Sequence, residues 1–299
     1  MSTPPTIGFI GLGVMGSGMC RNIALKHDGP VIAYDANPAA ASFLEGTPAV
    51  LVASVAEVAA RADIVCLSLP GDAQVRQVCC GDGGLAAQPR QPQVIVDLST
   101  TSVAGARAIA AELAAHDIAF ADAPVARTRE AAQRGELSIM VGADAGMFAR
   151  IEPVLRYMGT DVTHCGEVGC GQVVKLVNNA LVAEHVVALA EMMVISERAG
   201  VKPAVLLDAV SKGSGDSFVL RNHGRKAMLP REFPERAFPP EYMVKDISYV
   251  LALADEMRVP ARVAELAKRY YEAASTQGFS GRYFPVVIDL IDQGIDIPA

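Results

Sequence analysis

Three glycines, in Gly11-Leu12-Gly13-Val14-Met15-Gly16, constrain this chain more than any other feature. An apolar run from Thr6 to Ile10 leads into them, and a helical pattern from Ser17 to Lys26 follows. A strand, a G-x-G-x-x-G turn and a helix make the first half of a βαβ unit. One glycine allows the tight turn, one leaves bare backbone for a pyrophosphate, and one lets helix and strand pack closely. The helix start would face the phosphates with its unbonded N–H groups and partial positive charge. Glycine-rich turns also arise for purely structural reasons, so the motif needs support from its neighbours.

The next strand supplies it. Val31-Ile32-Ala33-Tyr34 ends at Asp35, about 20 residues after the last glycine, where a carboxylate accepts hydrogen bonds from both adenosine ribose hydroxyls. The same charge repels a 2′-phosphate. No arginine follows to neutralise one, since Ala36 and Asn37 stand there. The pattern predicts NAD in preference to NADP.

Further strands are predicted at Ala62 to Leu69, Val94 to Leu98, Ile118 to Ala121 and Gly135 to Gly142, with an edge strand at Val162 to Cys165. Leu69 and Pro70, and the hydroxyls from Ser99 to Ser102, fall at the carboxyl ends of strands, where ligands of parallel sheets bind. Those hydroxyls can equally cap the helix predicted from Val103 to His116. Strands and helices alternate through residues 1–167, which predicts an α/β doubly wound domain. From 168 to 299 the pattern is all-α. Helices are expected at Val173 to Ala199, Lys202 to Val210, Val244 to Met257, Arg262 to Gln277 and Phe284 to Gln293, with a long irregular connection from Ser211 to Pro240.

The first of these helices carries Lys175 and Asn179 at i and i+4, on one face. The pair could be a snorkelling lysine beside an asparagine that bonds nearby backbone. It could also be an active site, with an ammonium handing a proton to a substrate oxygen that a carboxamide holds.

Composition narrows the partners. The 299 residues suffice for two cores, and a net charge of -7 without a basic block argues against nucleic acid and anionic membranes. Charge or glycine interrupts the longest apolar runs, so no bilayer-spanning segment is expected. The six cysteines (Cys20, Cys66, Cys79, Cys80, Cys165, Cys170) lack paired metal-ligand spacing, so no metal is expected; Cys66 sits in an apolar run as a buried thiol would. Met1 to Thr6 is short and polar, unlike a secretory signal, which suggests a reducing, cytoplasmic setting.

Taken together, these motifs resemble the β-hydroxyacid dehydrogenase family, which includes 3-hydroxyisobutyrate dehydrogenases and tartronate semialdehyde reductases. Gly11 to Gly16 matches the cofactor turn, Asp97-Leu98-Ser99-Thr100 the D-x-S-T segment, and Asp122-Ala123-Pro124-Val125 with Gly135 to Gly142 the flanks of the substrate loop. Gly169-x-Gly171-x-x-x-Lys175-x-x-Asn178-Asn179 matches the catalytic helix, and Lys245-Asp246 a late Lys-Asp pair. The resemblance covers essentially the whole chain. It implies a Rossmann domain, a long interdomain helix and an α-helical domain that makes most subunit contacts, hence a homodimer or homotetramer. By resemblance, Lys175 is the catalytic acid/base and Asn179 its substrate-holding neighbour. Gly11, Leu12, Gly13, Val14, Met15, Gly16, Asp35, Leu69, Pro70, Thr100 and Lys245 would line the cofactor, and Ser99 and Phe238 the substrate.

The chain departs from the family at Ala126-Arg127-Thr128, where Ser-Gly-Gly usually binds the substrate carboxylate, and at Val103, where a proline is common. Arg127 could pair bidentately with an acidic group on the substrate, or point to solvent. The expected reaction is NAD-dependent oxidation of the β-hydroxyl of a small 3-hydroxy acid (hydroxyisobutyrate, a β-hydroxy amino acid or a sugar acid), or the reverse semialdehyde reduction. Imine reductases share the fold but generally lack a lysine at position 175. 6-Phosphogluconate dehydrogenases carry a larger helical domain than this length allows. A catalytically silent dinucleotide-binding scaffold tends to lose the proton donor that this chain keeps.

Overall fold

A computed structural model describes residues 4–235, 237–295 and 297. The chain divides into two compact units, Met1–Lys175 and Leu176–Ala299. The sequence placed a boundary at 167/168; the division by packing lies inside a helix that begins a few residues later.

In the first unit nine strands form one sheet: β1 (Ile7–Ile10), β2 (Val31–Tyr34), β3 (Val50–Leu51), β4 (Ile64–Leu67), β5 (Val94–Asp97), β6 (Ala119–Asp122), β7 (Val125–Ala126), β8 (Leu137–Gly142) and β9 (Gly159–Gly166). The order is β3-β2-β1-β4-β5-β6-β8-β7, with β9 also paired to β8. The six strands from β3 to β6 are parallel, β8 runs antiparallel to β6 and β7, and β9 is parallel to β8. Winding reverses between β1 and β4, so their carboxyl ends open the crevice in which doubly wound sheets bind ligands.

Helices α1 (Gly16–Lys26), α2 (Val55–Arg61), α3 (Asp72–Cys80), α4 (Val103–Ala114), α5 (Arg129–Arg134) and α6 (Ala145–Leu155) connect these strands. Strand side chains alternate between two cores. Ile7, Phe9, Ile64, Cys66, Val94 and Val96 enter one; Ile10, Val65, Leu67 and Ile95 enter the other. Both faces are apolar, as a helix-covered parallel sheet requires, and the strands therefore read as unbroken apolar runs. Cys66 is fully buried as expected, and burial pushes its thiol pKa up to about 12.

The second unit is helical. α7 (Cys170–Arg198) runs into it without a break, followed by α8 (Pro203–Val210), α9 (Pro240–Glu256), α10 (Arg262–Thr276) and α11 (Val287–Asp292). One face of α7 (Ala183, Val186, Val187, Ala190, Val194) packs in a core with Leu207, Met243, Ile247, Tyr271, Phe284 and Leu290. The buried Tyr271 hydroxyl donates to the Ala183 carbonyl at 3.0 Å.

Three features differ from expectation. β3 and α2, a short edge strand and a two-turn helix, were not anticipated, although Ser54 and Glu57 have capping-box spacing and Ser54 caps α2 at the Glu57 N–H. The connection expected to be irregular contains a π-helical segment, Leu220–Met228, in which the Leu229 N–H reaches the Gly224 carbonyl five residues back at 2.8 Å. Contrary to the reading of apolar runs, α7 contains a stretch long and apolar enough to cross a bilayer. Its hydrophobicity serves two faces. The inner face fills the core of the second unit. An outer stripe of Val177, Leu181, His185, Ala188, Met192 and Ile195, spaced by three or four residues, is exposed.

Candidate active site

The glycine turn separates what the chain needs from what a ligand needs. Gly11 has φ +98°, and a Cβ there would collide with the Ser68 carbonyl oxygen. A Cβ on Gly16 would collide with the Gly11 carbonyl oxygen. Both glycines are therefore demanded by the fold. Gly13 is different: it is exposed, and nothing lies within 4 Å of where its Cβ would be. Its bareness suits close approach by another molecule, so the turn fits a dinucleotide pyrophosphate. Leu12 is fully buried, and its side chain belongs to the core; Val14 is exposed and Met15 partly buried. The Asp35 carboxylate accepts the Leu12 N–H at 2.6 Å and the Asn37 N–H at 2.7 Å, which ties the end of β2 to the turn after β1.

At the neighbouring strand ends, the Leu69 N–H donates to Ser99 Oγ at 2.9 Å, and the Ser99 N–H to Asp97 Oδ1 at 3.0 Å. Ser99 is 4% exposed. The structure thus engages the hydroxyl expected at the substrate in joining β4 to β5. Pro70 is exposed, and Leu69 and Thr100 are half-buried. Ser102 caps α4 through the Gly105 N–H at 2.9 Å, the structural role that the sequence left open for this hydroxyl cluster.

Ala126 ends β7, and the Thr128 hydroxyl caps α5 at the Ala131 N–H. Arg127 has φ +87°, a backbone conformation that favours glycine. Its guanidinium donates to Asp161 Oδ2 at 2.5 Å, Thr160 Oγ1 at 2.9 Å and the Glu136 carbonyl at 2.5 Å. The partner found is Asp161, which neither reading of Arg127 from the sequence anticipated. The hydrogen bond from the Thr160 hydroxyl, and after it the nearby Arg127 guanidinium, hold the Asp161 carboxyl below its usual range.

α7 presents Lys175 and Asn179 one turn apart, each 8% exposed. In the second unit, Asn179 Nδ2 donates to Asp246 Oδ2 at 2.6 Å, and Asn179 Oδ1 accepts from Asn178 at 3.0 Å. Asp246 is 1% exposed; Lys245 Nζ lies 3.3 Å from its other oxygen, close enough for an ion pair but not aligned as a hydrogen bond. Lys245 also sits 5.5 Å from the Tyr249 ring centroid. Phe238 packs edge-on against Tyr242 and Phe284, with centroids 5.6 and 5.9 Å away.

Sequence reasoning gave no role to Asp122, Gln172 or Asp246. Asp122 accepts two main-chain N–H groups from the start of α7, and Gln172 is fully buried. Burial pushes the pKa of Asp97 up to about 7 and of Asp122 up to about 6. A signal existed: all three are polar residues inside otherwise apolar or glycine-rich motifs.

Three comparisons bear on this arrangement. Residues 6–166 match the family model for the NAD binding domain of 6-phosphogluconate dehydrogenase, and residues 169–291 that for the NAD-binding domain of NADP-dependent 3-hydroxyisobutyrate dehydrogenase. The chain is 33% identical to 2-(hydroxymethyl)glutarate dehydrogenase of Eubacterium barkeri, covering 96% of this chain and 95% of that protein. It is 30% identical to human mitochondrial 3-hydroxyisobutyrate dehydrogenase, covering 95% and 86%. A solved structure of Mycobacterium tuberculosis 3-hydroxyisobutyrate dehydrogenase with L-serine superposes with a TM-score of 0.87 at 29% identity, covering 97% of this chain and 99% of that one.

Gly13→Ala tests the assignment of the turn. The variant is expected to keep its thermal midpoint within a few degrees while NADH affinity, read by fluorescence titration, falls at least tenfold. Unchanged affinity would remove Gly13 from the cofactor site.

Proposed function

This chain belongs to the β-hydroxyacid dehydrogenase family, and from that premise we propose that it uses NAD to oxidise the β-hydroxyl of a small 3-hydroxy acid, or runs the reverse semialdehyde reduction. The observation that carries this reading is the pairing of a buried amine, Lys175, with a buried carboxamide, Asn179, on successive turns of one helix. When bound, NAD supplies the hydride acceptor. Lys175 takes the proton of the substrate hydroxyl during oxidation, and as ammonium returns it to the carbonyl oxygen during reduction. Asn179 orients that oxygen without adding charge. Asp246 holds Asn179 through the 2.6 Å bond from Nδ2.

In the first unit the cofactor residues are the turn from Gly11 to Gly16 with Asp35, Leu69, Pro70 and Thr100; in the second, the family resemblance assigns Lys245 to the cofactor. Asp35 supports NAD over NADP, because a carboxylate at the ribose repels a 2′-phosphate. The substrate class is supported by the names of two relatives: 2-(hydroxymethyl)glutarate and 3-hydroxyisobutyrate are both acids with a hydroxymethyl group on the carbon next to a carboxylate. Loop 126–128 meets that carboxylate through main-chain N–H groups, since Ala126 has no hydroxyl and that of Thr128 caps a helix. Phe238 covers the substrate.

The exposed stripe on α7 supports a homo-oligomer. Val177, Leu181, Met192 and Ile195 are each about half exposed, and a second copy would bury them.

Four measurements test the proposal. NADH formation is followed across a panel of hydroxymethyl and hydroxy acids. Lys175→Ala is expected to lower kcat by about 10²- to 10⁴-fold with NADH affinity within twofold of the parent; retained turnover would remove Lys175 from its role. NAD binding without turnover of any acid would favour a silent scaffold. kcat/KM with NAD should exceed that with NADP at least tenfold, and the opposite order would refute the assignment of Asp35. In sedimentation, the parent should run as a dimer or tetramer and Leu181→Glu as a smaller species; a monomeric parent would end the oligomer reading.

A further inference from the structure

We propose that Asp122 is the positioning residue for Lys175: from the end of β6 it fixes the first turn of α7, and so sets the height and rotation at which the amine is presented. This rests on the catalytic reading of Lys175. The Asp122 side chain is fully buried and bonded to α7 through both oxygens. The Gly169 N–H donates to Oδ1 at 2.6 Å, and the Gln172 N–H to Oδ2 at 2.7 Å. Such N–H groups have no partner within their own helix. The usual cap sits just before the helix it closes. Here it comes from a strand 47 residues earlier, and so it ties helix to sheet.

The surrounding chain is shaped to admit that carboxylate. A Cβ on Gly142 would collide with Asp122 Oδ1. A Cβ on Gly171 would lie 2.8 Å from Oδ2 and would also collide with the Met140 carbonyl oxygen. Two glycines, one from β8 and one from α7, therefore leave a slot that the carboxylate fills. Gln172 adds a second tie: its Oε1 accepts the Thr101 N–H at 3.1 Å, and its Nε2 donates to the Ser99 carbonyl at 2.8 Å. Lys175 follows Gln172 by three residues. An α-helix turns about 100° and rises about 1.5 Å per residue, so any slip of the first turn reaches the amine undiminished.

The charged and titratable groups around Asp122 are Asp97 at the paired position on β5, Arg107 of α4 and Cys165 of β9. Burial, partly opposed by the two N–H bonds and Arg107, brings the Asp122 pKa to about 6. Because the folded value lies above the ordinary 3.8, the associated stability is present at low pH and is lost as pH rises through about 6. Acidification therefore does not unfold the protein through Asp122. It places a proton on an oxygen that must accept, and what is lost is position.

The experiment compares the parent, Asp122→Asn and Lys175→Ala. Asparagine keeps the shape but turns an NH₂ group toward an N–H donor. Amide exchange protection at Gly169 and Gln172 should fall at least tenfold in Asp122→Asn, and in the parent on acidification through pH 6. kcat should drop about 10- to 100-fold, as for a reacting group displaced by a fraction of an ångström to an ångström, with NADH affinity within twofold. In the reduction direction Lys175 needs its proton, so acid should not impair it. A fall in parental kcat below pH 6 that disappears in Asp122→Asn is the expected signature. Unchanged protection at both amides overturns the proposal, as does unchanged kcat in Asp122→Asn while Lys175→Ala is inactive. If the parent turns over no acid, the catalytic reading fails by itself, and exchange protection still decides whether Asp122 holds the helix. Should Asp122→Asn not fold, the acid-dependent exchange of the parent decides it.

Discussion

Main chain meets main chain at several places in the first unit, and its functional end depends on those approaches. The glycine turn folds back so tightly that a Cβ on Gly16 would strike the Gly11 carbonyl oxygen. α7 reaches the sheet so closely that a Cβ on Gly171 would strike the Met140 carbonyl oxygen. Close approach excludes water, and buried polar groups must then find partners within the protein. That requirement explains why the buried Asp122, Ser99 and Gln172 bond to backbone.

Much of this architecture was legible in the sequence. β1, β2, β4, β5 and β6 are apolar on both faces, which makes them visible as runs. β3 has two residues, both exposed, within the apolar run Ala49 to Ala53, which is too short and too close to the next helix to stand out as a strand. The π-helical segment buries Leu220, Gly224, Ala227 and Met228 at helical spacing, but Asn222, His223 and Gly224 among charged residues leave few large apolar side chains to mark that face, so it reads as irregular. The apolar character of α7 was seen, but not that it serves two surfaces at once.

At the site, local geometry was legible and distant partners were not. Lys175 and Asn179 are four residues apart, so helical spacing alone sets their relation. Asp122 and Asp246 appeared only as members of motifs, because their partners lie 47 and 67 residues away. Arg127 was read by its chemistry, which suits any carboxylate. Which carboxylate it finds is a matter of strand pairing: β9, bearing Asp161, lies beside β8, 34 residues on.

Arg127 also shows how fold and chemistry divide their demands. Its backbone adopts φ +87°, which costs a side-chain-bearing residue about 1–2 kcal/mol relative to ordinary regions. The bonds that hold its guanidinium lie largely in water, where ion pairs contribute little. Strain and attachment pull in opposite directions, so folding neither requires an arginine at this position nor rewards one. Drift toward glycine there would be nearly invisible to selection for stability, and the identity of residue 127 is left to be settled by whatever molecule visits the loop.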